Sequence, residues 1–374
     1  YAPLFNNTYD VRVGASQVTI RVGFQPQIIQ VADLKVLNFK NTVRLEDLPI
    51  ASADYTYEGM EDDALWRREA FRRIEKYRKN DVKIKVRDSE GNPVPNVKIN
   101  MNMTRSEFLF GTCVRESRLF VDESSPDYIY QKLVLENFNA IVPESATKWT
   151  ITQDDDGFQS IKVANWAYEN HMYFRGHCLY WDDRSRKDFL PKALQNFETM
   201  TTDEVWEAMR EHATKTVLAY KGKVVQWDVV NEPYLKHMVE DVHGLEPQVK
   251  LFNLVKRLDP DAKLYINEGN IYTTLLQIQS GGVRNMLLKY INQGAAVDGI
   301  AAESHFTNTD YPQNYYLVLD DLAQYVDEIA ITEYDLDIPD DEVAAKYLRD
   351  MLIMIYSHPK ATAFLMWGFT DAAH

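Results

Sequence analysis

Residues 224–233 read Val224-Val225-Gln226-Trp227-Asp228-Val229-Val230-Asn231-Glu232-Pro233. An apolar, β-type run from Val224 to Val230 stops abruptly on Asn-Glu-Pro. Pro233 has no N–H to give to a ladder, so the strand must end before it. Glu232 is therefore expected at the carboxyl end of a buried strand, with Asn231 beside it. A second segment, Glu328-Ile329-Ala330-Ile331-Thr332-Glu333-Tyr334-Asp335, predicts another buried strand with Glu333 at its tip.

On either side of these two segments, from about residue 105, strand-like runs alternate with helical patterns. The candidate strands are Phe108–Thr112, Phe138–Val142, Tyr173–Leu179, Val224–Val230, Lys263–Asn267, Gly299–Glu303, Ile329–Thr332 and Ala363–Trp367. Helical periodicity fills the intervals, as in Asp203–Tyr220 and Glu342–Tyr356. Eight strands with seven intervening helices predict an α/β fold, a (β/α)8 TIM barrel, over residues 105–374. A doubly wound sheet is the alternative. Against it, no glycine-rich phosphate loop follows the first strand, and polar residues cluster after most strands rather than at one switch point. A closing eighth helix does not follow the last strand within this sequence, and the gap is expected to expose apolar surface.

The first 104 residues differ in character. Residues 1–50 are β-rich, with alternation in Gln17–Val22 and a second stretch in Ile28–Phe39. Residues 51–104 form a linker, a helix over 61–79 that is acidic at its start and basic at its end, and a hairpin of Val82–Val86 with Val94–Met101.

The 374-residue chain carries a net charge of −15, with 12% aromatic residues. That charge argues against nucleic acid or an anionic membrane as partner. The aromatics suit stacking on sugars, though core filling accounts for most of them. Two cysteines, Cys113 and Cys178, allow at most one disulfide. No apolar run reaches the length of a membrane span. The chain begins on Tyr1, which is read as a mature or trimmed start, so a removed export signal is compatible with it.

In such a barrel the carboxyl ends of the strands converge on one face. Paired glutamates there suit acid/base and nucleophilic work on a glycosidic bond. Gly176-His177-Cys178-Leu179-Tyr180-Trp181, Trp227–Pro233, Ser304-His305-Phe306, Ile331-Thr332-Glu333-Tyr334-Asp335 and Trp367-Gly368-Phe369-Thr370-Asp371 follow in order along residues 65–374. In these motifs the chain resembles glycoside hydrolase family 10, whose members are mostly endo-β-1,4-xylanases. Val22-Gly23-Phe24-Gln25-Pro26-Gln27 resembles the tail of a β-sandwich carbohydrate-binding module.

The resemblance implies a retaining mechanism, with Glu333 as nucleophile and Glu232 as acid/base, their carboxyls ~5–5.5 Å apart. It implies support from Asn231, His305 and Asp335, and sugar contacts from Glu144, Lys148, His177, Trp181, Glu303 and Trp367. The implied partners are β-1,4-xylan and xylo-oligosaccharides, and a secreted monomer is expected. No cofactor is expected. Neither HExxH nor Cys/His ligand spacing occurs, so no metal is expected either. Trp149 and Trp227 read as core, and His177 and His305 also allow a purely structural reading.

Four positions depart from the family pattern. Ser145 stands where an asparagine is frequent, Asp182 where a histidine is frequent and Glu303 where glutamine is frequent. Gly269 replaces a common aromatic, which would remove a stacking wall on the leaving side. A related β-1,4-glucanase and a catalytically impaired glycan-binding barrel are the alternatives.

Overall fold

The computed structural model describes residues 56–154, 158–183, 189–271 and 281–370. The β-rich segment expected over residues 1–50 and the candidate Asp371 lie outside the described residues. The chain divides into compact units 1–56 and 57–374, and the second is described here.

The described strands are β1 (Leu109–Val114), β2 (Ala140–Pro143), β3 (Tyr173–Trp181), β4 (Val224–Asn231), β5 (Lys263–Glu268), β6 (Gly299–Ala302), β7 (His305–Phe306), β8 (Glu328–Leu336) and β9 (Ala361–Met366). β1 to β6 pair in sequence order, β6 passes to β8, and β9 returns to β1, so eight strands close a barrel. Every pairing in it is parallel. Parallel neighbours need long crossovers, and helices supply them. They are Tyr128–Asn137, Phe158–Glu169, Thr202–Tyr220, Glu246–Leu258, Gly282–Asn292, Pro312–Leu322 and Asp341–Tyr356. This is the (β/α)8 barrel that the alternation predicts.

Small residues keep the barrel interior narrow. Ala140, Ala301, Ala330 and Ala363 pack there with Leu109, Val142, Leu365, Cys113 and Tyr265. Through this apolar lining runs a file of polar groups. Tyr265 Oη donates to Glu328, and Gln226 Nε2 donates to Tyr265 Oη (3.0 Å) and Thr362 Oγ1 (3.2 Å). Arg175 Nε reaches Gln226 Oε1 at 3.3 Å, and its two terminal nitrogens grip Asp228. Arg175 is 1% exposed and Asp228 is fully buried, so removing either partner would leave an uncompensated charge in the barrel. Outside the barrel wall, Gly176 faces Trp227 in register on β4. A Cβ at Gly176 would meet the indole at 2.1 Å, so only glycine lets that ring lie flat on β3.

The helix Thr202–Tyr220 shows how the crossovers are specified. Its buried stripe is Val205, Met209, Ala213, Thr216, Val217 and Tyr220, at the spacing of one helix face. Thr201 caps it reciprocally. Its hydroxyl accepts from Glu204 N–H (3.2 Å), and Glu204 accepts from Thr201 N–H (2.7 Å).

Several boundaries differ from the sequence expectations. The helix expected over 61–79 spans Leu65–Tyr77, and Glu61, Asp62 and Asp63 precede it. It docks on Asp341–Tyr356 through Arg67, which donates to Asp350 (2.6 Å), and Arg78, which donates to the carbonyls of Tyr356, His358 and Ala361. The expected hairpin reduces to one antiparallel bridge, Arg87–Pro93. Its turn forms, since Asp88 Oδ1 accepts from Glu90 and Asn92 N–H, but its apolar residues, such as Val82 and Met101, are exposed. Two strands without a covered face do not sustain a ladder. Cys113 and Cys178 are free and buried. Among the described residues, no helix is long and apolar enough to cross a membrane.

Candidate active site

Glu232 follows the last residue of β4, as Pro233 dictates. Its φ is +50°, a left-handed backbone that non-glycine residues seldom adopt. Two main-chain bonds hold it there: Glu232 N–H to Asn267 O (2.8 Å) and Lys236 N–H to Glu232 O (3.0 Å). Glu333 differs from expectation. It lies inside β8, which runs on to Leu336, rather than at a strand tip. The extension is explained by β7. The sixth barrel strand breaks at Ser304, whose φ is +74°, and resumes as His305–Phe306, paired with Asp335 and Leu336. The break and the pairing bring His305 beside Glu333.

Around Glu333 the polar groups form one network. Asn267 Nδ2 donates to Glu333 Oε1 (2.8 Å) and lies 2.8 Å from Asn231 Oδ1 and 3.1 Å from Glu303 Oε1. Thr332 Oγ1 donates to Asn267 Oδ1 (2.6 Å), which fixes the amide's orientation. His305 Nε2 donates to Glu333 Oε2 (3.3 Å), and its Nδ1 donates to Asp335 Oδ2 (2.7 Å). His177 Nδ1 lies 2.9 Å from Asp228 Oδ2 and 3.7 Å from Glu333 Oε1. Lys148 stands 5.0 Å over the Trp181 ring, which stacks on Phe189. The Trp367 ring meets His177 edge-on at 5.4 Å. Glu144 pairs with Arg115 at 2.9 Å.

The two glutamates have opposite proton affinities. For Glu232, burial and then the negative charges of Glu333 and Glu268 raise the carboxyl to about 7, against the opposing Lys236. For Glu333, burial alone would raise the carboxyl. His177, the hydrogen bond and charge of His305, and Lys148 outweigh it and hold the group at about 2. His305 is opposed by burial too, yet Asp335 and Glu333 raise it to about 10.

The family model for glycosyl hydrolase family 10 matches residues 100–374. The chain belongs to glycosyl hydrolase family 10. An Arabidopsis thaliana relative, endo-1,4-beta-xylanase 5-like, is 27% identical over 314 residues, covering 81% of this chain and 53% of that protein. The anti-sigma-I factor RsgI6 of Acetivibrio thermocellus is 29% identical over 313 residues, 83% of this chain and 39% of that protein. The chain thus spans about half or less of the length of these relatives. Among solved structures, native xylanase 10B from Thermotoga maritima matches with a TM-score of 0.63 at 25% identity, over 72% of this chain and 85% of that one. Xylanase 10B from Thermotoga petrophila, solved with xylobiose, matches at 0.62 and 25%, over 72% and 84%.

Within this family-10 barrel, the positions that depart from the family pattern have distinct surroundings. Asp182 is buried and accepts Val239 N–H (2.7 Å), so it ties the end of β3 to the segment following Glu232. Ser145 N–H faces Glu116 Oε1 at 3.3 Å. Gly269 leaves space that the Glu303 carboxyl fills. Glu303, His305 and Glu333 offer ligand atoms within 4.8 Å of one another, in principle a metal set. The chemistry argues against that use. Both ring nitrogens of His305 face carboxylates, which raise the imidazole to about 10, so at neutral pH neither nitrogen offers a lone pair.

Sequence reasoning gave no role to three residues of the network: Asn267, Asp228 and Arg175. A signal for the last two was present. Arg175 and His177 alternate on β3, and Asp228 is the register partner of His177. A cavity of about 240 Å³ lies elsewhere, lined by Trp149, His212 and Tyr220 among others, and none of these carboxylates lines it.

Proposed function

We propose that this chain is an endo-β-1,4-xylanase that retains anomeric configuration. One observation carries the reading. Two carboxyls of one cleft have opposite proton affinities, Glu232 raised to about 7 and Glu333 lowered to about 2. A double displacement needs that division. Ionised Glu333 attacks the anomeric carbon while protonated Glu232 gives its proton to the leaving oxygen. The glycosyl-enzyme ester removes the charge of Glu333. With that charge gone the Glu232 carboxyl becomes more acidic, and it takes a proton from the attacking water. His305, backed by Asp335, keeps Glu333 ionised, and Asn231 is assigned to the 2-hydroxyl of the reacting sugar. Glu144, Lys148, His177, Trp181, Glu303 and Trp367 are assigned to sugar binding. Polymeric xylan does not cross a membrane, so the enzyme is proposed to act outside the cell, as a monomer.

The test is chromatography of products from unsubstituted xylan beside cellulose and mannan. Short xylo-oligosaccharides of mixed length are expected from xylan alone. Products from cellulose instead would favour a glucanase. A second reading is a glycan-binding barrel without turnover; one relative carries the name of a regulatory factor rather than of an enzyme. Binding of xylan with no products would support it.

A further inference from the structure

Glu303 follows β6 with its main chain fixed, its N–H donating to Glu268 O (3.2 Å) and its carbonyl accepting Glu333 N–H (3.0 Å). The residue is 4% exposed. Its Oε1 shares Asn267 Nδ2 with two closer acceptors, and that nitrogen carries only two hydrogens. Its Oε2 has no donor within hydrogen-bond distance among the described residues. The nearest cation is His305 Nε2 at 4.0 Å, and that N–H is directed to Glu333. The carboxyl belongs to the cluster around the candidate nucleophile, since ligand atoms of Glu303, His305 and Glu333 lie within 4.8 Å of one another. Facing this carboxyl are Asp228 and Glu232 from β4 and its end, Glu268 from β5, Glu333 from β8, His305 from β7 and Tyr315 from the helix Pro312–Leu322. An ionised Glu303 would have no committed donor and several like charges around it. A neutral one needs no further donor and brings one of its own.

We propose that Glu303 holds a proton in the resting enzyme and presents it from Oε2 as a hydrogen-bond donor to a hydroxyl of the bound sugar, with Gly269 left bare to make room for that carboxyl. The proposal rests on the glycosidase reading of the same cleft and deepens it. Burial, followed by the charges of Glu333, Glu232, Glu268 and Asp228, holds this carboxyl well above the usual range. A Cβ at Gly269 would meet Oε2 at 2.5 Å and Cδ at 3.3 Å. Moving the carboxyl aside would break its contact with Asn267. The two positions therefore act as one specificity element, in which a carboxylic acid at 303 excludes a side chain at 269.

The test labels glutamate carboxyls with carbon-13 and compares wild type with Glu303→Gln at neutral pH. The resonance missing from the variant is expected at the chemical shift of a protonated acid. Finding it at the shift of a carboxylate would overturn the proposal. This readout needs no substrate, so it is independent of whether xylan is cut. Where turnover is observed, Glu303→Ala is expected to lower kcat/KM about tenfold or more, the scale of one lost hydrogen bond in the transition state. Glu303→Gln, which keeps a neutral donor, is expected to recover most of that loss. Equal losses in both variants would overturn the donor role. Gly269→Ala is expected to move the Glu303 resonance, and an unmoved resonance would separate Gly269 from the proposal.

Discussion

At the residue scale, the cleft is a problem in placing few protons among many carboxyls. Glu333→Gln removes the group assigned to attack and is expected to lower kcat at least about 10³-fold on every substrate. Burst and steady-state kinetics on an aryl xylobioside would measure it. Activity should follow a bell-shaped pH profile. The alkaline limb is expected near 7 as Glu232 loses its proton, and the acid limb toward 2 as Glu333 gains one. The limbs belong to the interacting pair rather than to either residue alone. Stability carries a related signature. The folded-state value of Glu232 lies above its ordinary 4.5, so its contribution is fully present below 4.5 and is lost as pH rises through about 7. Glu232→Gln should therefore gain in Tm relative to wild type on going from mildly acid to mildly alkaline buffer. A constant difference in calorimetry across that window would contradict the shift.

At the element scale, the strands and helices were legible because their periodicities differ, and because Pro233 marked one strand end unambiguously. What escaped was set by partners. β8 runs three residues past Glu333 because β7 pairs with it, and nothing in Tyr334-Asp335-Leu336 alone announces that pairing. The break at Ser304 is a backbone choice of a non-glycine residue, which sequence patterns do not reveal. The docking of Leu65–Tyr77 on Asp341–Tyr356 gives a direct test. Asp350 is fully buried and accepts from Arg67, Tyr57 and Arg349. Asp350→Ala leaves the buried Arg67 without its counter-charge and is expected to cost about 3–5 kcal/mol in denaturant unfolding. Thr201→Ala, which removes one cap of Thr202–Tyr220, should cost only about 1 kcal/mol.

At the scale of the whole molecule, the barrel brings together residues far apart in sequence. Asn231, Asn267, Glu303 and Glu333 come from β4, β5, the end of β6 and β8, and meet within one hydrogen-bond network. The two catalytic candidates and their histidine were singled out because each sits in a short sequence motif that stands out along the chain. Asn267 was not assigned a role, because its part depends on which strands become neighbours. The same arrangement predicts indifference to chelators. With both nitrogens of His305 protonated, dialysis against EDTA should leave turnover unchanged, and a loss restored by added divalent cation would contradict that. Met209→Ala, in the stripe that holds a crossover helix to the wall, should cost about 2–5 kcal/mol without altering the pH profile.

The file of polar groups inside the barrel has an experimental use. Arg175 holds its guanidinium protons against Asp228, almost out of reach of water, one side chain away from His177. Such protons exchange with solvent only when the barrel opens, so their resonances should stay sharp and resolved through long acquisitions in heavy water. Their chemical shifts are expected to respond to changes at the neighbouring imidazole, which shares Asp228 with Arg175. The molecule thus carries a built-in spectroscopic probe, with which occupancy and protonation of the cleft can be followed from behind, without attaching a label to any group that meets the sugar.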